Sequence, residues 1–366
     1  MRVRRPGWRW AVVACLTGSL CGLPSLLAAQ PVSSSDVAAD ELLERVRRSD
    51  AVTWSGYGEA RGDLVLPDVK ELADLPQLIS GTTRLRAWWA GPEQHRVDAL
   101  NLVGETGVVV DGPLTWTWDS ADRTAQLQGH DAQARLPRGA DLLAPALGAR
   151  LSRSDAVIAE PLPARRVAGQ DASGLRLRPM SAATTVEHVD LWVEPGTGLA
   201  LRVEVHARGF EGAALTSILL DLDLSAPASK RTRFRPPPGA RVEVVEAPDL
   251  AAAADRFAPF RLPDDLAGLP RRPRVGGLGE GVGTYGEGLT ALTVVPLEER
   301  TARDLLRSLQ DQDGGAGDTA TFSTALLQGL VARSRDRAYL LAGTVPQDVL
   351  REALLELRAH PPPRRR

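Results

Sequence analysis

Apolar residues recur at every second position along much of the chain, which predicts β-strands. Leu85, Ala87 and Trp89 alternate with two arginines and a tryptophan, and Trp116 and Trp118 alternate with threonines. This alternation gives a strand one apolar and one polar face. It recurs from the middle 50s to the middle 240s, so we predict an antiparallel sheet with one apolar face.

The clearest unit of this sheet is a hairpin. Two strands flank the loop Glu-Pro-Gly-Thr-Gly at residues 194–198, and proline and glycine in a five-residue loop predict antiparallel pairing. Arg202, Glu204 and His206 are assigned to the polar face of the return strand. The predicted apolar face comprises Val189, Leu191, Val193, Leu199, Leu201, Val203 and Val205, and the same period continues through Ile218, Leu220 and Leu222.

A helix is predicted before the first strand. Ala39, Leu42, Leu43 and Val46 follow the spacing of one helical face, with acidic residues early and arginines late, as the helix dipole favours. Shorter helices are predicted at 72–79 and 140–147. A sheet with one long apolar face must cover that face with helices, with a second sheet or by enclosing a cavity, and the pattern leaves these three options open.

The character of the sequence changes after residue 246. Residues 247–283 are rich in alanine, proline and glycine, which indicates a linker. A small α+β domain is predicted at 284–360, with strands at 289–295, 321–332 and 337–342 and helices at 297–309 and after Thr344. Thr344 and Gln347 have the spacing of a capping box. The last six residues, 361–366, are predicted to be a disordered tail.

The first 29 residues have the order of an export signal. Four arginines precede an apolar run from Trp10 to Leu27, and two alanines stand before Gln30. The run is also long enough to remain as an uncleaved membrane anchor, and both outcomes stay open. We therefore predict an exported protein that resides in the periplasm or elsewhere in the cell envelope, where an uncleaved anchor would retain it.

Removal of the leader changes both the charge and the available chemistry. Loss of its four arginines reduces the number of basic residues from 44 to 40. With 46 acidic residues, the remaining chain has a net charge of −6. This balance argues against a nucleic-acid-binding protein. The only two cysteines, Cys15 and Cys21, lie in the leader, so the remaining chain has no disulfide and no thiolate.

Motifs for catalysis are weak throughout the chain. Residues 281–286 match G-x-G-x-x-G, but proline and glycine precede them and a strand follows, so we interpret them as a loop rather than a dinucleotide site. The five histidines lack the H-E-x-x-H spacing, although His188 and His206 can share one side of the hairpin. No G-x-S-x-G motif occurs. We predict no catalytic residue, metal site or cofactor.

The tryptophans admit two interpretations. Large aromatic side chains on apolar faces are first of all core residues, but they also line apolar ligand cavities. From the period alone, the candidates for an inward-facing lipid cavity are Trp89, Trp116, Trp118, Leu191, Leu201, Val203 and Leu220.

Several segments, taken in order, resemble a known superfamily. These are ADELLERV at 39–46, TWSGY at 53–57, LRAWWAGP at 85–92, HRVD at 95–98, WTWD at 116–119 and VDLWVEPGTGLALRVEV at 189–205. Together they resemble outer-membrane lipoprotein carriers (LolA-like) and periplasmic sigma-factor regulators (RseB/MucB-like). The resemblance covers roughly residues 38–245, and a smaller domain after a linker is more similar to the regulator branch.

The resemblance implies a mainly β fold, a half-open antiparallel barrel with a helical lid, over residues 30–246. It implies acyl chains or lipoproteins as ligands and a membrane anti-sigma factor as partner, without enzyme activity or metal. We therefore predict a non-enzymatic envelope sensor. The alternatives are a lipoprotein shuttle, an envelope-polymer hydrolase and a structural module with a filled core. The oligomeric state stays open.

Overall fold

A computed structural model describes residues 37–63, 80–101, 104–129, 139–245, 261–273, 281–313, 317–334 and 337–359. The leader, the helix expected at 72–79 and the tail at 361–366 lie outside the described residues. No helix in the described ranges is long and apolar enough to cross a membrane.

Twelve strands form one open sheet. They are β1 (Trp54–Asp63), β2 (Ser80–Gly91), β3 (Gln94–Leu100), β4 (Glu105–Asp111), β5 (Leu114–Asp119), β6 (Thr124–Gly129), β7 (Val157–Val167), β8 (Gln170–Pro179), β9 (Val186–Val193), β10 (Ala200–Ala207), β11 (Ala213–Asp223) and β12 (Arg241–Val245).

The strand order across this sheet is β12-β6-β5-β4-β3-β2-β1-β11-β10-β9-β8-β7. Two antiparallel meanders, β1–β6 and β7–β11, join where β1 pairs with β11. Only β12 is parallel to its neighbour, β6. Because β12 and β7 do not pair with each other, the sheet stays open, and the predicted mainly β, half-open architecture is confirmed.

Helices cover one face of the sheet, which we call the inner face. They are α1 (Ala39–Arg47), followed by a 3₁₀ turn (Ser49–Ala51), and α2 (Ala144–Leu151), preceded by a 3₁₀ turn (Gly139–Leu142). The predicted stripe of α1 is buried at Leu42, Leu43 and Val46. These side chains pack with Leu147 of α2 in the same core cluster as apolar residues of β8 to β11.

On the opposite face, which we call the outer face, another segment of the chain covers β2 to β4. A short helix, α3 (Ser229–Thr232), contacts these strands. Arg231 of this helix lies 5.5 Å from the centre of the Trp88 ring. This face is therefore covered locally by the chain that leads to β12.

A second, five-stranded sheet follows. Its order is β15-β16-β19-β18-β17, from β15 (Gly283–Tyr285), β16 (Leu292–Leu297), β17 (Thr319–Ser323), β18 (Gln328–Ser334) and β19 (Arg337–Gly343). Helix α4 (Glu299–Asp313) packs on Val331, and α5 (Gln347–Ala359) packs on the neighbouring Leu330. Neighbouring strand residues point to opposite faces, so the helices flank this sheet on both sides. A two-stranded ribbon, β13 (Asp265–Leu266) with β14 (Leu269–Pro270), precedes it.

Three local predictions for this second unit are wrong. The strand expected at 321–332 is the hairpin β17–β18, because Thr324 Oγ1 accepts the Leu327 N–H at 2.8 Å and closes a turn. The capping box does not form, since Thr344 Oγ1 donates to Leu289 O at 2.6 Å and Gln347 Nε2 donates to Phe322 O at 3.1 Å.

The third wrong prediction concerns the G-x-G-x-x-G segment, interpreted as a loop. It contains strand β15. A Cβ at Gly283 would lie 2.6 Å from the Tyr285 ring, so glycine there permits close packing inside this unit.

The contact between α2 and the large sheet yields the first prediction. A Cβ at Gly148 would lie 2.6 Å from Ala200 Cβ and 3.5 Å from Val203 Cγ2. Helix propensity alone favours alanine over glycine by about 1 kcal/mol. The forced contact costs about 1–3 kcal/mol and should outweigh that gain. We expect Gly148→Ala to lower the free energy of unfolding in urea.

The matched control is Gly129→Ala. Nothing lies within 4 Å of a Cβ at Gly129, so its free energy of unfolding should change by less than about 0.5 kcal/mol. A Gly148→Ala protein as stable as the parent would contradict the close packing of α2.

The second prediction concerns Tyr285 in the smaller sheet. Burial raises its pKa to about 12 from the ordinary 10.0, and its hydroxyl donates to Pro263 O at 2.9 Å. Since the folded pKa is the higher one, the stability that Tyr285 contributes is complete below pH 10 and is lost between pH 10 and about 12.

Tyr285→Phe should therefore flatten the decline in unfolding free energy above pH 10. It should also cost about 1 kcal/mol at pH 8 through the lost hydrogen bond. Urea unfolding followed by circular dichroism across this pH range measures both effects. A slope in Tyr285→Phe identical to that of the parent would refute the assignment.

Candidate ligand-binding cleft

The three candidate tryptophans do not share a face. In the ladder from β2 to β5, Trp89 pairs with His95, His95 with Val110 and Val110 with Thr115. Directly paired residues lie on the same face of a sheet. Trp116 and Trp118 therefore lie on the outer face, where their rings are 5.5 and 5.9 Å from that of Phe234.

Bulges in β10 and β11 displace two of the candidate leucines. The pairing of β1 with β11 passes from Tyr57–Asp221 to Gly58–Leu219, so Leu220 has no partner and is 48% exposed, while Leu219 is fully buried. A bulge inserts one residue and shifts the alternation beyond it. Leu201 is likewise the extra residue of a bulge in β10, and it is buried in a different cluster from Val203.

The other three candidates lie on the inner face but are covered. Leu191 and Val203 pair across β9 and β10 and are fully buried beneath α2. Trp89 stacks on His95 and donates its Nε1–H to Asp50 O at 2.8 Å. The space beside Trp89 measures only about 10 Å³, which is the size of one water molecule.

These seven side chains thus do not line one common cavity among the described residues. The period-two pattern places Trp89, Leu191 and Val203 correctly on the inner face. It misplaces Leu220, which the bulge exposes, and it assigns Trp116 and Trp118 to the wrong face. Lipid binding itself stays a prediction and requires another space in the molecule.

Such a space lies between the large sheet and the second unit. It is a cleft of about 820 Å³. One wall is formed by α2 and the following loop, with the ends of β9, β10 and β11; the other is formed by residues 270–273 and 286–291, Leu326 and Thr344. Its apolar surface includes Leu147, Leu151, Val186, Val205, Leu215, Leu289 and Leu326.

Charged side chains also line this cleft. Four are arginines and two are carboxylates, Asp155 and Glu287. Arg150 pairs with Asp141 at 2.5 Å, and Arg153 pairs with Asp50 at 2.5 Å, and both arginine side chains stay at least half exposed. The combination offers an apolar surface for a chain and cations for an anionic group.

Two arginines of the second unit form hydrogen bonds to backbone carbonyls. Arg272 donates to three backbone carbonyls, those of Gly286, Gly288 and Thr290, at 2.7–3.0 Å. Burial lowers its pKa below the ordinary value of an arginine. Arg271 donates to Leu262 O at 2.9 Å. These contacts fix the loop that forms one wall of the cleft.

Two threonines between β8 and β9 hold the units together. Thr184 Oγ1 donates to Thr344 O at 2.9 Å, and the Thr185 N–H donates to the same carbonyl at 2.9 Å. Thr185 Oγ1 donates to Leu326 O at 2.5 Å. Leu289 and Leu326 of the second unit complete the core cluster beneath the large sheet. The cleft is therefore bounded by a junction between the two units, which consists of hydrogen bonds and apolar contacts.

The sequence patterns did not indicate this cleft. Its lining comes from turns and strand ends, which have no periodicity, and from segments more than 100 residues apart along the chain. The helix expected at 140–147 extends to Leu151, and this added turn supplies part of the wall.

Comparisons with known proteins match the fold. No family model and no curated protein sequence matches the chain. A chain of the Pseudomonas aeruginosa MucA/MucB complex matches with a TM-score of 0.51 at 17% identity, covering 86% of this chain and 96% of that one. The chain has the LolA/RseB-like fold.

Other solved structures with the LolA/RseB-like fold are more distant. MucB alone gives a TM-score of 0.44 at 15% identity, covering 87% of this chain and 96% of that one. A LolA superfamily protein from Nitrosomonas europaea gives 0.26 at 14%, covering 54% and 98%. The match to the MucA/MucB complex confirms, at the level of the fold, the resemblance inferred from the sequence.

The junction yields a prediction. Thr184→Val keeps the shape of the side chain but removes the hydroxyl that donates to Thr344 O. Thr344 O keeps the Thr185 N–H as a donor, so loss of the one hydrogen bond costs about 0.5–1.5 kcal/mol. We expect faster hydrogen exchange at the Thr185 amide, which bonds across the junction. Thr216→Val, on the outer face of β11, is the control; unchanged exchange in Thr184→Val would exclude the proposed junction.

Proposed function

We propose that this chain is a non-enzymatic, extracytoplasmic binding protein that regulates the cell envelope through a membrane partner. The observation that carries the proposal is the mostly apolar cleft of about 820 Å³, bordered by arginines, between the two units. This volume falls within the range of sites that enclose small ligands, about 300–1,000 Å³. The leader at residues 1–29 supports export.

The chemistry of the cleft favours an amphiphile with an anionic group. Each methylene moved from water to an apolar surface contributes about 0.8 kcal/mol. Arg150 and Arg153, at the same cleft, suit a phosphate or carboxylate. The acyl chain of an anionic lipid or a lipoprotein combines these features and is the ligand we propose.

The lining argues for binding rather than catalysis. Among the described residues that line the cleft, the ionisable groups are arginines, Asp155 and Glu287, with no histidine or cysteine. Carboxylates can also act as general acids, bases or nucleophiles. Here both carboxylates are exposed, and Asp155 pairs with Arg47 at 3.0 Å, so they do not form a shielded catalytic pair. This composition supports the non-enzymatic proposal over the hydrolase alternative.

A protein partner is proposed on a separate basis. One chain with this fold was solved as the MucA/MucB complex, and the match covers 86% of the present chain. The family resemblance implies a membrane anti-sigma factor in this role. Ligand occupancy of the cleft between the two units would then alter the surface presented to that partner.

Ligand binding can be tested in the cleft itself. Leu151→Asp places a carboxylate in the apolar wall, and binding of a fluorescent fatty acid should weaken about tenfold or more, because the charge must be desolvated. Leu355→Asp is the matched control, since Leu355 lies on α5, is 65% exposed and does not line the cleft. Equal affinities in the two variants would refute a ligand site in the cleft.

The partner can be identified by cross-linking in envelope membranes of the native host, followed by mass spectrometry. The regulator proposal predicts a single-span membrane protein that is captured by the parent chain. Acylated cargo without such a protein would instead indicate the shuttle alternative. Circular dichroism of each variant should match the parent, so that lost binding reflects the site.

A further inference from the structure

Two histidines face each other on the outer side of the large sheet, away from the cleft. His188 of β9 and His206 of β10 are directly paired, and their rings stack with centres 4.3 Å apart. His188 is 8% exposed. Directly opposed side chains of an antiparallel pair lie close together, so this pairing holds two imidazoles at one place.

Two carboxylates occupy the next row of the same face. Asp190 and Glu204 are paired across β9 and β10. The Nε2 atom of His188 lies 3.8 Å from Asp190 Oδ1, and the Nε2 atom of His206 lies 4.0 Å from Asp190 Oδ2 and 3.5 Å from Glu204 Oε2. Two imidazoles and two carboxylates therefore converge.

The histidine nitrogens lack hydrogen-bond partners. Neither ring nitrogen of His188 forms a hydrogen bond, and Nε2 of His206 forms none, although all three atoms are buried. Buried polar atoms are almost always paired, because an unpaired one costs free energy. Unpaired nitrogens that point toward carboxylates indicate that something else binds between them.

Two arginines hold the carboxylates in place. Arg176 donates from Nε and Nη2 to both oxygens of Asp190, each at 2.7 Å. Arg202 Nε donates to Glu204 Oε1 at 2.7 Å, while Oε2 is the oxygen nearer His206. Partners behind the ligands fix their orientation in metal sites. They also balance the carboxylate charges, so a cation gains less here than at an unpaired acidic site.

The spacing suits a small transition-metal ion. One ligand atom from each of His188, Asp190 and His206 can be chosen so that all lie within 4.8 Å of one another. Around tetrahedral Zn²⁺, with ligand bonds of about 2.0–2.1 Å, ligand atoms stand about 3.3 Å apart. The chosen ligand atoms lie up to 4.8 Å apart, so binding requires side-chain movements of roughly one ångström and some rotation of the stacked rings.

We propose that His188, His206 and Asp190 bind one Zn²⁺ or similar divalent transition-metal ion on the outer face of the sheet. Imidazole and carboxylate are ligands that such ions prefer. The site is independent of the cleft and of the proposed function.

These ligands lie on two strands, so the helical H-E-x-x-H spacing does not detect them. The signal present is His-x-Asp on β9 and Glu-x-His on β10. Residues two apart share a face, and the hairpin register then brings the two pairs together.

Isothermal titration calorimetry with Zn²⁺ tests the site. The protein used is the full chain with the substitutions Cys15→Ala and Cys21→Ala and with a purification tag that contains no histidine. We expect one Zn²⁺ per chain, with affinity reduced at least a hundredfold in His188→Gln/His206→Gln. His95→Gln is the matched control, because His95 is 9% exposed and lies on the inner face. It should keep the parental stoichiometry and affinity.

A second measurement covers the case in which the double variant fails to fold. Electron paramagnetic resonance of the parental full chain with one equivalent of Cu²⁺ should show two nitrogen ligands. Absence of stoichiometric Zn²⁺ binding, an equal loss in His95→Gln, or a Cu²⁺ spectrum without two nitrogen ligands would overturn the proposal.

Discussion

Burial of the inner face of the large sheet is the constraint on which the rest of the structure depends. An open sheet of twelve strands exposes a long apolar surface that must be covered. Helices α1 and α2 cover much of it, and α2 approaches so closely at Gly148 that a methyl group does not fit. Leu289 and Leu326 of the second unit extend the same core. The cleft is the space that remains where these covers meet.

The outer face of the large sheet carries charged residues and histidines along β8 to β10. Along β8 to β10 it carries Arg176, Asp190 and Glu204 in one row, with His188 and His206 in the next. Bidentate pairing to Arg176 satisfies Asp190, whereas the histidines are buried without hydrogen bonds. The two faces of one hairpin therefore serve separate purposes: the inner face contributes core packing and a wall of the cleft, and the outer face contributes the candidate metal ligands.

Sequence patterns predicted the elements better than the site. Helix α1 and the β9–β10 hairpin follow directly from apolar spacing, because burial of a stripe or a face requires it. Leu220 and Leu201 show where this reasoning fails, since a bulge adds one residue to a strand and leaves no mark in the alternation. The prediction for Trp116 and Trp118 is wrong for another reason. Phe234 covers the outer face of β5, so an apolar side chain there does not identify the inner face.

The sequence by itself determined the mainly β architecture and the family resemblance, and it predicted an export leader that contains both cysteines. These properties depend on local order or on short-range periodicity. Only the tertiary structure decided which face Trp116 occupies, where the cleft lies and which histidines meet. These features depend on strand register, on bulges and on the docking of segments more than 100 residues apart. The free energy of such contacts arises from shape complementarity and burial, which no local sequence pattern contains.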